Sequence, residues 1–424
     1  MGKVSLLSLG CPKNLVDSEK LLKKLEEKGI YYSSNPDESD ILLINTCGFI
    51  ESAKKESIEE ILKLSKLKGK NKKLVVFGCL AKRHGRDLKR EIPEIDALWG
   101  VGDDDKIVEY CSKIITKTAL TESFEKLTET PYAYLKIAEG CDKKCSYCVI
   151  PQIRGMFQSI PSDLILDEAE TLIQSGKREL IVIAQDITAY GTDLKDYNLS
   201  RLVREIASLK GDFWIRLLYL YPTSITDELI ETIASEDKVC NYIDMPLQHS
   251  EKKILELMGR GGSRSYFEKL IAKIRHSIPD VNIRTTLMVG FPQETDVEFN
   301  AMLKFVQKIK FDRLGVFTYS KEEGSGAYGL KGQVSGKIKT ERFNKIMLVQ
   351  SSISFEKNKK LIGKTFKALV DEVDNDIAVA RIYSQAPEID GVVLIPNSGA
   401  HKGDFVNVKI EEAYDYDLKG SVSR

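Results

Sequence analysis

YLKIAEGCDKKCSYC, residues Tyr134–Cys148, carries the reading of the whole chain. Its first residues, Tyr134–Ala138, are apolar and β-prone, as a buried strand is. That strand runs directly into a loop bearing Cys141, Cys145 and Cys148. Three thiolates on one short loop can each hold an iron of a cubane 4Fe–4S cluster and leave the fourth iron open to a substrate. A fourth cysteine would close the cluster and make it an electron carrier. The competing reading is structural zinc, which takes four protein ligands, and no fourth Cys or His lies nearby in the sequence. A reactive loop at the carboxyl end of a strand is also where (β/α) barrels carry their active sites.

Outward from this stretch the alternation of strand and helix continues to about Lys360. Candidate strands are Tyr134–Ala138, Leu180–Ala184, Trp214–Tyr219, Tyr242–Asp244, Asn282–Val289 and Arg313–Thr318, with helices such as Asp163–Gln174, Leu199–Leu209 and Tyr266–Ser277 between them. About six βα units over 132–360 predict a partial (β/α) barrel, closed by a charged helix over Glu341–Lys360. The tail, 361–424, changes character. FKALVDEV, AVARIYS, GVVLIP and FVNVKI are short β-branched runs between turn residues, which predicts a small all-β barrel. Upstream, residues 1–117 place strands at Lys3–Leu9, Ile41–Thr46 and Leu74–Gly78, with amphipathic helices over Asn14–Lys28 and Ile50–Leu67. That pattern predicts an open parallel α/β sheet. Polar residues ending in Pro131 make 118–131 a linker. The expected architecture is α/β multidomain.

The N-terminal strands share a feature. Cys11, Cys47 and Cys79 lie far apart in sequence, yet each sits at the end of one strand, in SLGCPK, INTCGF and FGCLAK. Carboxyl ends of neighbouring parallel strands converge on the crevice where ligands bind. Three thiols there predict a second cluster with an open iron, and Gly10, Gly48 and Gly78 would let backbone approach it closely. The alternative is three buried cysteines acting as small apolar residues. Cys111 and Cys240 have no such context and read as structural.

Sixty-three basic residues balance sixty-three acidic ones among 424, so no global positive field draws in nucleic acid. No apolar run reaches the roughly 18 residues of a transmembrane helix, and the apolar stretch within MGKVSLLSLGCPKN is too short for a secretory signal. A cytoplasmic protein is expected, and in a reducing compartment eight cysteines point to metal or catalytic use rather than disulfides. Asn45, Gln185, Asp186, Gln248, His249, Arg284 and the MVGFPQET stretch (Met288–Thr295) fall at strand ends and are candidates for cofactor or substrate contact.

The C-x3-C-x2-C loop, with Tyr147 before its last cysteine, resembles the radical S-adenosylmethionine enzymes. The resemblance implies that the open iron chelates the amino and carboxylate groups of S-adenosylmethionine, that one electron cleaves the sulfonium to a deoxyadenosyl radical, and that Tyr147 lies near the adenine. Three cysteines on an α/β domain, the radical domain and a small β-barrel together resemble the methylthiotransferases, whose terminal barrel is the TRAM domain. SLGCPKNLVDSE (Ser8–Glu19), CDKKCSYCVIPQIRG (Cys141–Gly155) and APEIDG (Ala386–Gly391) are similar to the branch that modifies an aspartate of small-subunit ribosomal protein twelve. Gln385 departs from that branch, which often has an acidic residue there. The resemblance implies two 4Fe–4S clusters, S-adenosylmethionine as cofactor, and a reducing partner such as flavodoxin or ferredoxin. It also implies the ribosomal protein as substrate, free or within the ribosomal subunit, and methylthiolation of the aspartate β-carbon. Charge agrees: from Gly363 onward seven Lys and Arg stand against eleven Asp and Glu, a balance of −4. That favours a basic protein over RNA. Two other readings stand beside this one. They are the sister branch that modifies adenosine in tRNA, and a non-catalytic iron–sulfur protein that binds RNA or the ribosome.

Overall fold

Residues 2–69, 72–115 and 127–423 are described by the computed structural model, so most of the linker expected over 118–131 lies outside the described residues. The chain packs as two units, Met1–Glu129 with Val149–Met156, and Thr130–Cys148 with Phe157–Arg424.

The first unit is built on a five-stranded sheet of β1 (Lys3–Ser8), β2 (Tyr31–Tyr32), β3 (Ile41–Thr46), β4 (Lys73–Gly78) and β5 (Ala97–Leu98). All pairs are parallel and the order is β2-β1-β3-β4-β5. Central β3 is buried along its whole length, as a parallel strand covered on both faces must be. Helices α1 (Pro12–Glu26) and α4 (Asp104–Ile114) bury Leu21, Leu25 and Ile107 on Val4 and Leu43. Helices α2 (Glu51–Leu67) and α3 (Cys79–Glu91) bury Ile61 and Leu80 on Leu42 and Ile44 of the opposite face. Helix α3 is absent from the sequence reading because it has no polar cap and its apolar face is only Leu80, Ala81 and Leu88 among many charged residues. It starts directly from Gly78, whose φ of 98° and ψ of −155° only glycine adopts readily, and it is kinked at His84. A short helix, α5 (Ile150–Arg154), belongs to this unit. Ile153 and the adjoining Val149 pack against Cys79, Phe49 and Val101.

In the second unit, β6 (Tyr132–Lys136) leads to β7 (Ala138–Glu139), which pairs antiparallel with β8 (Gln158–Ser159). Strands β9 (Glu179–Ile183) and β10 (Trp214–Leu217) extend β6 into one parallel sheet. Strands β11 (Tyr242–Asp244), β12 (Asn282–Val289) and β13 (Arg313–Thr318) form another. A parallel bridge between Ile215 and Val239 joins the two halves. Strands β6 and β13 are the outer edges among the described residues, which makes this the expected partial (β/α) barrel. The intervening helices are α6 (Ser162–Gln174), α7 (Leu199–Ala207), α8 (Asp227–Ser235), α9 (Lys252–Leu257), α10 (Arg264–Ser277) and α11 (Asp296–Ile309). After α12 (Gly336–Lys359) the chain closes a second, smaller barrel from β14 (Thr365–Asp374), β15 (Ile377–Ile382), β16 (Val393–Pro396), β17 (Phe405–Ala413) and β18 (Leu418–Val422). Strand β18 lacks the apolar run that marks the others. Gly420 lets it lie so close to β17 that an added Cβ would sit 2.4 Å from the Lys409 carbonyl oxygen.

Buried charge ties the small barrel to the larger one. Glu179 of β9 accepts from Arg216 of β10 at 2.6 Å and pairs at 2.6 Å with Arg381 of β15, all three side chains at 1% exposure or less. Arg381 also meets Asp371 of β14 at 2.5 Å. Beside them, Tyr242 donates to Asp390 at 2.6 Å and Tyr132 to Glu388 at 2.8 Å. Gln385 sits in this network, its carbonyl accepting from Arg381 and its side-chain oxygen from the Ile382 amide. Arg381 already has two carboxylate partners, so a neutral amide at 385 leaves no buried charge uncompensated.

Candidate active site

The crossing of strands β1, β3 and β4 into their loops sets the first cysteine group. Cys11 is the N-cap of α1, Cys47 follows β3, and Cys79 opens α3. Two of the three therefore stand at helix N-termini, where the helix dipole favours a thiolate. A Cβ on Gly10 would fall 2.7 Å from the Cys47 Cβ and 3.0 Å from its Sγ. One on Gly48 would fall 2.7 Å from the Leu80 Cα, and one on Gly78 would fall 2.2 Å from Asn45 Oδ1. The glycine beside each cysteine is thus what permits the strand ends to close up. Ser57 of α2 clamps Cys47, accepting from its amide and donating to its carbonyl, both at 3.0 Å. Asn45 donates to the Asn14 carbonyl at 2.8 Å and to Ser18 Oγ at 3.0 Å, so it braces the loop.

Cys47 and Cys79 are buried and Cys11 is exposed. Burial pushes the Cys79 thiol up to about 12, opposed by the charge of Arg154, with Cys11 and Cys47 near enough to add to the rise. Burial likewise raises Cys47, opposed by the Phe49 amide and by Arg154. A desolvated pocket of this kind penalises a free thiolate and favours one neutralised by metal. Among the described residues no group of three or more Cys, His, Asp and Glu side chains is gathered tightly enough to hold one ion. A cubane instead takes each thiolate on a different iron.

The second cysteine group occupies the loop beyond β7. Its backbone is anchored at Ser146, which donates through its amide to the Met258 carbonyl at 2.9 Å and through Oγ to the Leu257 carbonyl at 2.7 Å. The Ala327 amide donates to the Ser146 carbonyl at 2.6 Å. Gly259 has a φ of 67°, and a Cβ there would fall 2.5 Å from the Lys144 carbonyl oxygen. Burial raises the Cys141 thiol, opposed by the Lys143 amide. Arg260 donates to the Cys145 sulfur at 3.7 Å, to Tyr147 Oη at 3.4 Å and to the Pro246 carbonyl at 2.7 Å, and its guanidinium stacks 4.4 Å above the Tyr221 ring.

Tyr147 is half-buried against Met258, Phe291, Met288 and Tyr319, which joins the MVGFPQET stretch to the cysteine loop. Gln185 follows β9 and donates to Glu139 at 2.9 Å, while its buried Oε1 has no partner among the described residues. Asp186 lies 3.5 Å from Lys143 of the loop. Gln248 adopts a φ of 69° and bridges strand ends, its amide donating to the Thr286 carbonyl at 2.8 Å and its carbonyl accepting from Met288 at 2.7 Å. His249 is fully buried, accepts the Glu251 amide on Nδ1 at 3.0 Å and faces Glu294 at 3.6 Å. Arg284 is placed elsewhere, near the amino end of β12. It binds Asp244 at 2.9 Å and approaches Asp390 of the small barrel at 3.8 Å. Cys111 and Cys240 are buried thiols, each pushed up to about 12 by burial. Sequence reasoning passed over Asn14, Arg154 and Arg260. Lysine and arginine in a sequence read as solvated, and nothing local marks a guanidinium that tertiary packing will bury beside sulfur.

Comparison with known proteins identifies the domains and the family. The family model of the radical SAM superfamily matches residues 135–306, that of the TRAM domain residues 362–422, and that of uncharacterized protein family UPF0004 residues 3–100. The fold is also that of TsrM from Kitasatospora setae, a radical S-adenosylmethionine methyltransferase, with a TM-score of 0.59 at 12% identity over 83% of this chain and 89% of that one. The class is therefore that of radical SAM enzymes. The chain is 51% identical to the ribosomal protein uS12 methylthiotransferase RimO of Thermodesulfovibrio yellowstonii over 100% of both chains. It is 46% identical to the protein of that name from Thermoanaerobacter sp., over 99% of this chain and 100% of that one. It belongs to the RimO family of radical SAM methylthiotransferases.

Proposed function

We propose that this chain attaches a methylthio group to the β-carbon of an aspartate in ribosomal protein uS12. The observation that carries the reading is the pair of three-cysteine sites, each with the glycine or backbone anchoring that a bulky cluster needs. Cys141, Cys145 and Cys148 would hold one 4Fe–4S cluster, and Cys11, Cys47 and Cys79 the other. When bound, the first supplies the electron that cleaves S-adenosylmethionine and the second supplies the sulfur. The target C–H bond has no accessible pKa, which is why acid–base side chains alone do not suffice.

The chain's own residues bind and orient. Gln185 offers a buried acceptor with no partner among the described residues, suited to an N–H of the S-adenosylmethionine amino group. Tyr147 offers a ring on an apolar shelf, and Gln248 lies at a strand end that its backbone bonds hold rigid. These three are the proposed cofactor contacts. For Arg284, the ion pairs with Asp244 and Asp390 support a role in tying the small barrel to β11 and β12. The small barrel exposes Glu372, Asp374, Asp376, Glu411 and Glu412, an acidic surface suited to a basic ribosomal protein. A reduced flavodoxin or ferredoxin would be the electron donor, and a cytoplasmic location accords with cysteines kept reduced. Among the described residues, no helix is long and apolar enough to cross a membrane.

The test is anaerobic reconstitution with iron and sulfide, then S-adenosylmethionine, dithionite and a peptide from the uS12 loop. About eight irons per chain and a peptide gain of about 46 Da are expected. Cys145→Ala should abolish deoxyadenosine formation. Cys47→Ala should spare it and stop sulfur insertion. A methylthio product from the Cys47 variant would reverse the assignment of roles, and product on tRNA but not on the peptide would overturn the substrate.

A further inference from the structure

The N-terminal cysteine site contains a buried cation that the proposed chemistry does not yet use. Arg154 ends α5, and its side chain is 2% exposed. Its Nη2 lies 2.7 Å from Asn14 Oδ1, 3.0 Å from Asp17 Oδ2 and 3.7 Å from the Cys79 sulfur. Asn14 is aimed by its own amide, which donates to the Leu9 carbonyl at 2.8 Å and the Thr46 carbonyl at 3.3 Å, the ends of β1 and β3. Its Oδ1 is thereby presented to both Arg154 and the Cys79 thiol, the latter at 3.6 Å. Val149 and Ile153 pack against Cys79, Phe49 and Val101, which seats the start of Arg154's side chain beside the site.

We propose that Arg154 is the counter-charge of the N-terminal cluster, a positioning residue that hydrogen-bonds the Cys79 sulfur and stabilises the cluster's more negative, reduced state. This rests on the reading that Cys11, Cys47 and Cys79 hold that cluster. A cluster core of charge 2+ on three thiolates carries net negative charge, which grows by one when the cluster takes up an electron. Burying that charge is costly unless it is paired. Asp17 and Glu56 add negative charge at this site, and Arg154 acts as a cation on both Cys47 and Cys79. The arrangement has a consequence for the order of the chain. The residue that sets the electrostatics of one cluster lies six positions beyond Cys148, a ligand proposed for the other.

The experiment uses the full chain carrying Cys145→Ala, so that the N-terminal cluster alone gives a signal. Arg154→Gln and Arg154→Lys are then compared by iron content and by a redox titration followed by electron paramagnetic resonance, with dithionite as the electron source. Arg154→Gln should lower the equilibrium constant for one-electron reduction about tenfold, which is about 59 mV, while Arg154→Lys stays within about threefold of the parent. A Gln variant that loads no iron beside a Lys variant that loads iron at the parent potential supports the same conclusion. A Gln variant with full iron and an unmoved potential overturns it, as does loss of iron in both variants. If the Cys145→Ala parent itself binds no iron, the cluster assignment of Cys11, Cys47 and Cys79 fails instead.

Discussion

Gly78→Ala is the substitution on which the account of the N-terminal site depends most. Gly78 closes β4 and caps α3 at φ 98° and ψ −155°, a region nearly closed to residues with a Cβ, and holding alanine there costs about 1–3 kcal/mol. The new Cβ would also meet Asn45 Oδ1 at 2.2 Å and the backbone of Thr46 at 2.8 and 2.9 Å. Neither neighbour can retreat. Asn45 is held by the Asn14 carbonyl and Ser18, and Thr46 lies in the ladder between β3 and β4. Overpacking of this kind adds about 1–3 kcal/mol, so the sum is about 2–6 kcal/mol. The expected result is a fall of roughly 10 °C in the unfolding transition of the N-terminal unit, read by circular dichroism on the apoprotein. Because Cys79 is the next residue, reconstituted iron should fall from about eight to about four per chain while cofactor cleavage persists. Gly102→Ala separates the two causes. Its φ is +83° with nothing within 4 Å of an added Cβ, so it should cost about 1–2 kcal/mol and leave the iron content unchanged. If Gly78→Ala matched Gly102→Ala in both measurements, the close approach of the strand ends would not be what builds the site.

Two further predictions concern the second unit. Glu179→Gln removes the carboxylate shared by Arg216 and Arg381 and leaves two buried guanidinium groups undercompensated, which should destabilise by about 3–5 kcal/mol. The Trp214 ring lies 5.0 Å from that of Phe405 of the small barrel, tilted 60°, so in a Trp99→Phe background its fluorescence during urea unfolding reports on this junction, and an unmoved midpoint would contradict the role of the network. At α11, burial raises the Glu298 carboxyl, but Lys253 and the hydroxyl and amide of Thr295 outweigh it and hold the group at about 2 against an ordinary 4.5. A depressed carboxylate stabilises fully above its unfolded pKa, so this contribution is present above about pH 4.5 and is lost as pH falls towards 2. Glu298→Gln should flatten the acid limb of stability over that window, measured as urea midpoints against pH.

Much of this protein is legible from local pattern. Period-two and period-3.6 apolar spacing is a short-range property, and it locates Ile41–Thr46, Tyr242–Asp244, Asn282–Val289 and Arg313–Thr318 at their observed bounds. The Cys141–Cys148 loop is equally local, since its three sulfurs share one turn of chain. The cysteines of the first unit were readable for a different reason. Each ends a buried strand, and parallel topology brings strand ends together whatever the distance in sequence. Other features answer to no local rule. Strand β18 rests on a glycine that allows close backbone approach, and helix α3 sets only a few apolar residues among many charges, so neither stands out in the sequence. Arg284 stood at a strand in the sequence, but only the folded chain commits it to Asp244. Arg154, Arg260, Arg216 and Arg381 look like surface charges in one dimension. Their burial beside sulfur or carboxylate depends on partners up to about 200 residues away, because compensating a desolvated charge is a property of three-dimensional packing that no window of sequence contains.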